Sequence, residues 1–497
     1  MKLVFAYLKF LSLFCCLLVN PFGSEVVLAE EKESKPRIEN LAQQPQGFCQ
    51  RDLAQAIEQV ISRPELKRSR WGIEVQTLAG DSLYSLEGDK FFNPASAAKL
   101  LVSAAGILEL GADYQISTPV YSVGNSPFLD SLRIKGQGDP TISSESLKDI
   151  VHQLQDRGVQ RIANLIVDDS YFTPPAINPT WEWIDVHSYF ATAANSTILN
   201  QNTVTLTLLP QKIGQPVKFW WNDAIAANQW QVINQATTGE ADIEYAVEID
   251  GDLGKPLLKL RGELAVNEPP DVWDLAVVDP AQYFLESLRL YLSQGGIAVN
   301  QGVVVEQQDV NYSDTELMAI YAPPLSEILA GINQESNNLY AEVLGKILAQ
   351  KMQLETPIEA INYSLQKLGI EPESYLLIDA SGLSRQNLVT PQTLVEVLRL
   401  MFQASPQHLA LSYQRSLATA GTSGTLKRRF INTPIQGNLW GKTGTLTGVG
   451  ALSGYLETQD QGLLVFSILV NNSELEHKEI RRAIDEIVVI LNRLEQC

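Results

Sequence analysis

The strongest constraint on the fold is a double change of texture along the 497 residues. Near the front, Leu53, Ile57, Val60 and Ile61 share one face of a helix, and WGIEVQTLAGDSLYSLEG reads as strand, Gly-Asp turn, strand. A second helix starts near Ser96 and carries Leu100, Leu101, Ala104 and Leu108. After about residue 113 the texture turns strand-like: TVTLTLLP, PVKFWW, QWQVINQ, IEYAVEID and PLLKLRGELAV are rich in β-branched and aromatic residues. Two helices interrupt this stretch, SESLKDIVHQLQDRG and one announced by Asp279-Pro280 as N-cap and first-turn proline. From about Leu317 helices return, then the strands LWGKTGTLT, GALSGYLET and GLLVFSILVNN, and a last helix, EIRRAIDEIVVILNRLEQ. A chain that opens and closes in one style around a different middle predicts an α+β domain split by an insertion. The split domain is an antiparallel sheet with helices packed on it. Its expected extent is 48–113 plus 316–497, and the β-rich insertion, of about two modules, takes 114–315.

Composition narrows the function. Net charge is −20, a surface that repels phosphate backbones, so no nucleic-acid partner is expected. Four histidines in no His-Glu-x-x-His pattern, and four cysteines in no Cys-x-x-Cys pair, argue against a metal site. Lys2 and Lys9 lead an apolar run, Phe10 to Val19, too short to span a bilayer but suited to export. A signal peptide over 1–29, cut after Ala29, is expected, followed by a polar linker over 30–47; an uncleaved anchor is the alternative. Either implies a periplasmic or other extracytoplasmic location. Cleavage leaves Cys49 and Cys497, a disulfide or two separate thiols. The first and last helices could lie side by side, which would bring these cysteines together.

Three short motifs carry the chemistry: Ser96-Ala97-Ala98-Lys99, Ser336-Asn337-Asn338 and Lys442-Thr443-Gly444. A serine hydroxyl is a poor nucleophile until an adjacent base takes its proton. Lys99 lies one helical turn from Ser96, on the same face. It can act only as a neutral amine, a state favoured by burial and by a second cation, for which Lys442 is the candidate. Gly444 would let a substrate backbone approach the strand. A second Ser-x-x-Lys, Ser364 to Lys367, falls mid-helix and reads as a solvated face.

Taken in order, the motifs resemble those of the penicillin-recognising serine acyltransferases. The 240 residues between Ser96 and Ser336 narrow the resemblance to the class C low-molecular-mass penicillin-binding proteins, the D-alanyl-D-alanine carboxypeptidase/endopeptidase family. FNPASAAKLL, GQGDPTI, LIVDDSYF, IDASGLSRQNLVTP and GKTGTLTGVGALSGYL are similar to that family's stretches too, and the likeness runs from about residue 50 to 495. The resemblance implies a penicillin-binding transpeptidase-like domain and a serine D-Ala-D-Ala carboxypeptidase acting on peptidoglycan stem peptides, with DD-endopeptidase action on crosslinks as an extension. It implies β-lactams as covalent inhibitors and no cofactor. Ser96 would be the nucleophile, Lys99 the base, Ser336 the proton relay and Asn338 a partner of Lys99 and of the substrate amide. Lys442, Thr443, Gly444 and Thr445 would bind substrate, with the Ser96 and Thr445 N–H groups as oxyanion hole. Arg385 is a second candidate cation for an anionic substrate, or else a loop-stabilising arginine. Asp168 and Phe172 resemble a stretch that approaches the substrate's diamino-acid side chain, although a turn aspartate and a core aromatic explain them as well. Trp181 and Trp183 read as packing. The competing readings are a serine β-lactamase and a non-catalytic cell-wall-binding module.

Overall fold

The computed structural model describes residues 47–252, 254–307, 314–495 and 497. The expected signal peptide and all of the linker except Gly47 lie outside the described residues. Among the described residues, no helix is long and apolar enough to cross a membrane.

In chain order, helix α1 (Gln50–Ile61) precedes strands β1 (Arg70–Thr77) and β2 (Ser82–Leu86) and helix α2 (Lys99–Leu110). The inserted sheet is built from β3 (Ser117–Asn125), β4 (Phe128–Lys135), β5 (Arg161–Asp168), β6 (Ala298–Val305) and β7 (Thr315–Tyr321). Helices α3 (Ser144–Asp156) and α4 (Pro280–Gln294) cross over it. The chain returns through α5 (Leu325–Asn333) and α6 (Asn338–Met352). It finishes with β8 (Ala418–Thr419), β9 (Leu439–Leu446), β10 (Val449–Thr458), β11 (Gly462–Asn471) and α7 (His477–Asn492).

The main sheet has the order β8-β9-β10-β11-β1-β2, and every pairing is antiparallel. Its central strands are buried on both faces, as their near-continuous apolar sequences require. One face is covered by α1 and α7, which pack side by side. The other is covered by the helices around α2, itself buried from Lys99 to Ile107. A helix apolar all round belongs inside, and here it carries the candidate base into the core.

The termini close on each other. Phe48 and Cys49 pair in parallel with Leu494 and Glu495, and Cys49 is bonded to Cys497 with Cα atoms 5.6 Å apart. The two thiols are thus one disulfide.

The inserted sheet is mixed, because the α3 and α4 crossovers make β5 parallel to β4 and to β6. The cap signals hold: the Asp279 carboxylate accepts from Gln282 N–H, with Pro280 in the first turn. Between β5 and α4 the chain forms smaller sheets, including Thr203–Leu209 paired with Asp271–Ala276. One apolar cluster runs from Val120 and Leu132 through Leu206 to Leu258 and Leu260, so these parts share a core. Thr315–Tyr321 pairs antiparallel with β3, so helix resumes only at Leu325, not near Leu317. The apolar residues of TELMAIY satisfy either period, and the open edge of β3 decides for a strand.

Candidate active site

Ser96 lies in a single 3-10 turn, Ala95–Ala98, that runs directly into α2. Ala95, just before it, holds a positive φ of 46°, which costs a non-glycine residue free energy and has to be enforced by its surroundings. Asn93 supplies the enforcement. Its side-chain oxygen accepts from Ala95 N–H, its amide donates to the Arg385 carbonyl, and its own backbone exchanges two hydrogen bonds with the Asn471 side chain. Gly382 and Gly444 press on the same turn. A Cβ on Gly382 would meet Ala95 O at 2.0 Å, and one on Gly444 would meet Pro94 O at 2.6 Å. Gly444 therefore also packs beneath the Ser96 turn, a requirement separate from the expected approach of substrate.

Lys99 is fully buried. Its Nζ lies 3.0 Å from Ser96 Oγ, 2.5 Å from Asn338 Oδ1 and 2.6 Å from the Ser381 carbonyl. The amide and carbonyl oxygens can only accept, so they take two N–H groups. In the neutral amine the third position is a lone pair facing the serine hydroxyl. Burial brings the Lys99 amine down to about 7, against the opposing pull of Asp379 and Glu342. The sequence assigned that lowering jointly to burial and to Lys442. Burial is the dominant cause, and the cationic coupling instead shows on Lys442, which burial and then Lys99 push far down.

Lys442 is also fully buried, and its Nζ donates to Ser336 Oγ and to the Thr443 carbonyl, each at 2.8 Å. Since Ser336 Oγ accepts from Lys442, its own proton is left to point elsewhere. Ser336 holds a positive φ of 61° at the turn into α6. The residue between the motif's fixed positions, Asn337, caps that helix by accepting from Tyr340 N–H. Asn338 Nδ2 donates to the Phe190 carbonyl of the insertion, so this amide joins Lys99 to the inserted region. On β9 the Leu439 and Thr443 carbonyls face the edge where the short β8 ends, since they accept from Ala420 N–H and Lys442 Nζ. Backbone direction alternates along a strand, so the Thr445 N–H faces that same open edge. Thr443 Oγ1 bonds Thr425 Oγ1 at 2.8 Å.

Arg385 is not brought into this cluster. Its guanidinium, 36% exposed, pairs with Glu182 at 2.8 Å and donates to the Thr447 carbonyl, contacts that fit the loop-stabilising alternative. Asp168 is buried against Arg133, and Phe172 packs in the core. Trp181 is buried and donates to Asp379, whereas Trp183 is 57% exposed. Ser364 is buried rather than solvated, its hydroxyl tied to the Ala360 carbonyl of its own helix, while Lys367 pairs with Glu109 at the surface.

Two acids were missed from sequence. Asp379 accepts from Gly382 N–H, Ser384 N–H, Asn387 Nδ2 and Trp181 Nε1, and so shapes the loop beside Lys99. Glu342, one turn after Asn338, accepts from Ala380 N–H and Ser381 N–H. The spacing Asn338 to Glu342 on one helix face was the available signal.

The family described as "D-Ala-D-Ala carboxypeptidase 3 (S13)" matches residues 53–493. A D-alanyl-D-alanine carboxypeptidase of Actinomadura sp. (strain R39) is 31% identical over 443 residues, covering 85% of this chain and 81% of that protein. A penicillin-sensitive carboxypeptidase A of Dictyostelium discoideum is 29% identical over 472 residues, covering 86% and 87%. The crystal structure of penicillin binding protein 4 (dacB) from Haemophilus influenzae superposes with a TM-score of 0.78 at 24% identity, over 88% of this chain and 98% of that one. That protein has also been solved with a β-lactam bound.

Proposed function

The chain belongs to the S13 family of serine-type D-Ala-D-Ala carboxypeptidases, and from that premise we propose how its own residues carry the reaction. Ser96 Oγ attacks the carbonyl carbon of the penultimate D-alanine of a peptidoglycan stem peptide. Its proton passes to neutral Lys99 Nζ. The oxyanion is held by the Ser96 and Thr445 N–H groups; one lost donor in such a site costs about 100- to 1000-fold in rate. Ser336 gives its proton to the departing amine of the terminal D-alanine, and Lys442, bonded to Ser336, replaces it. Lys442 and Thr443 receive the terminal carboxylate, and that negative charge favours protonated Lys442 in a site that otherwise disfavours it. Once the terminal D-alanine has left, Lys99 gives up its proton to solvent and Lys442 regains one. Water then attacks the acyl-Ser96 ester, neutral Lys99 takes a proton from that water and hands it to Ser96 Oγ as the ester bond breaks, and the shortened peptide leaves.

The observation that carries this reading is the convergence of two hydrogen-bonded sets, Lys99 with Ser96 and Asn338 and Lys442 with Ser336, adjoining through the Ser336–Asn338 turn and close enough for the Lys99 charge to act on Lys442. A β-lactam presents a strained amide beside a carboxylate, so it enters as a substrate and stays as an ester. The family acts on the cell wall outside the cytoplasm; periplasmic delivery by removal of 1–29 is the finer proposal. The inserted region is taken to follow the boundaries read from sequence, with β7 added to it.

The test is digestion of purified uncrosslinked and crosslinked stem peptides. Release of free D-alanine from a pentapeptide supports the carboxypeptidase, and cleavage of D-Ala–diamino-acid crosslinks adds the endopeptidase. Rapid turnover of benzylpenicillin with neither activity would favour the β-lactamase reading instead. The acid beside the cluster, Glu342, already accepts two backbone N–H groups and is poorly placed to activate water.

A further inference from the structure

We propose that Glu342 is a positioning residue for the acyl transfer: its buried carboxylate holds the backbone N–H of Ser381, the residue whose carbonyl meets Lys99, and sets when that amine is free to accept a proton. The inference rests on the reading of Lys99 as the base.

The Ser381 backbone is held on both sides of its Cα. Its N–H donates to Glu342 Oε1 at 2.8 Å, and its carbonyl accepts from Lys99 Nζ at 2.6 Å. Ala380 N–H reaches the same Glu342 oxygen at 3.1 Å, so a single carboxylate fixes two successive peptides of the loop. Asn338 and Glu342 stand one turn apart on α6, and both act on Lys99: the first by a direct bond, the second through Ser381 and through charge.

The charged groups facing Lys99 are Asp379 from the loop, Glu342 from α6 and Lys442 from β9. Those facing Glu342 are Asp379, Lys99 and, a turn further along α6, Lys346. Asp379 and Lys346 have structural commitments. The former is saturated by loop donors, and the latter donates to the Thr173 and Pro175 carbonyls of the insertion. Glu342 differs, since its two bonds are accepted by one oxygen and survive neutralisation of the acid. Burial pushes its carboxyl up to about 7, with Asp379 adding to the rise, while burial brings Lys99 down to about 7. Burial thus moves the two groups toward each other, and they titrate as a coupled pair. An ionised Glu342 keeps the proton on Lys99 and delays catalysis to higher pH.

The experiment is the pH profile of the second-order rate of acylation by benzylpenicillin, followed by intact-protein mass spectrometry from pH 5 to 10. Glu342→Gln keeps the shape and an acceptor oxygen but removes the charge. Its ascending limb is expected to lie about one unit below that of the wild type. A limb that superimposes on the wild type, whatever its plateau, overturns the proposal. Glu342→Asp keeps the charge and shortens the reach, so it is expected to hold the wild-type limb while its plateau falls about tenfold or more. A displaced limb or an unchanged plateau in that variant overturns the proposal, and it decides alone if Glu342→Gln does not fold. Absence of any wild-type adduct, or normal acylation by Lys99→Ala, would sink the reading of the base itself. A wild-type limb left unmoved by Glu342→Gln would sink only the role of Glu342.

Discussion

Lys99 donates to Asn338 Oδ1 over 2.5 Å, across 239 residues of chain. That bond ties the helix bearing the nucleophile's neighbour to the helix that begins at the second motif, and it fixes the amine's remaining position toward Ser96.

The first prediction concerns that amine. Loss of a positioned general base typically costs about 100- to 10,000-fold, so Lys99→Ala is expected to lower acylation by that order. For the wild type the sign is set by the need for a neutral base. With the amine brought down to about 7, the acylation rate rises through that pH as the proton leaves. A rate independent of pH between 6 and 9 would contradict the assignment.

A second prediction separates the two candidate cations. Lys442→Met removes the partner of Ser336 and the group placed to meet the substrate carboxylate, and both kcat and kcat/KM for a D-Ala-D-Ala peptide are expected to fall. Arg385→Ala breaks one exposed ion pair, a contact worth about 0 to 1 kcal/mol, and is expected to change kcat/KM less than tenfold. Equal losses in the two variants would return Arg385 to the site.

Gly444→Ala gives a third. The added methyl would approach Pro94 O to 2.6 Å, beneath the strained turn at Ala95. Overpacking of this kind costs about 1 to 3 kcal/mol. Thermal unfolding is expected to move down by several degrees, and acylation to slow because Ser96 shifts with the turn. An unchanged melting temperature would show that the turn yields freely.

The disulfide supplies a fourth. The Cys49–Cys497 bond fastens a two-residue strand pair beside α1 and α7. Native disulfides typically contribute about 2 to 4 kcal/mol. Cys49→Ser with Cys497→Ser is expected to lower the melting temperature while leaving acylation near the wild-type rate, since the bond borders the face of the sheet covered by α1 and α7. A large loss of acylation in the folded double variant would contradict this separation.

Much of the fold was legible because its signals are local. The Asp279-Pro280 cap, the α1 and α7 faces and the β10–β11 runs each depend on residues within a few positions of one another. Thr315–Tyr321 was not, because its period is ambiguous and its strand state depends on the free edge of β3. The motif residues were legible through order and spacing. Asn93, Asp379 and Glu342 were not, since each is a single polar residue whose meaning comes from a backbone far along the chain. The packing of Gly444 against the Ser96 turn was not legible, because Pro94 lies 350 residues upstream. Ser364 looked solvated because the pattern of α6 and its following helix does not reveal which polar face turns inward.

The most direct test of the account is peptide mapping of the protein after brief exposure to benzylpenicillin. The account predicts a single penicilloyl adduct on the peptide containing Ser96, absent in Ser96→Ala. An adduct on Ser336, Ser364 or any other residue, or one that persists in Ser96→Ala, would contradict it.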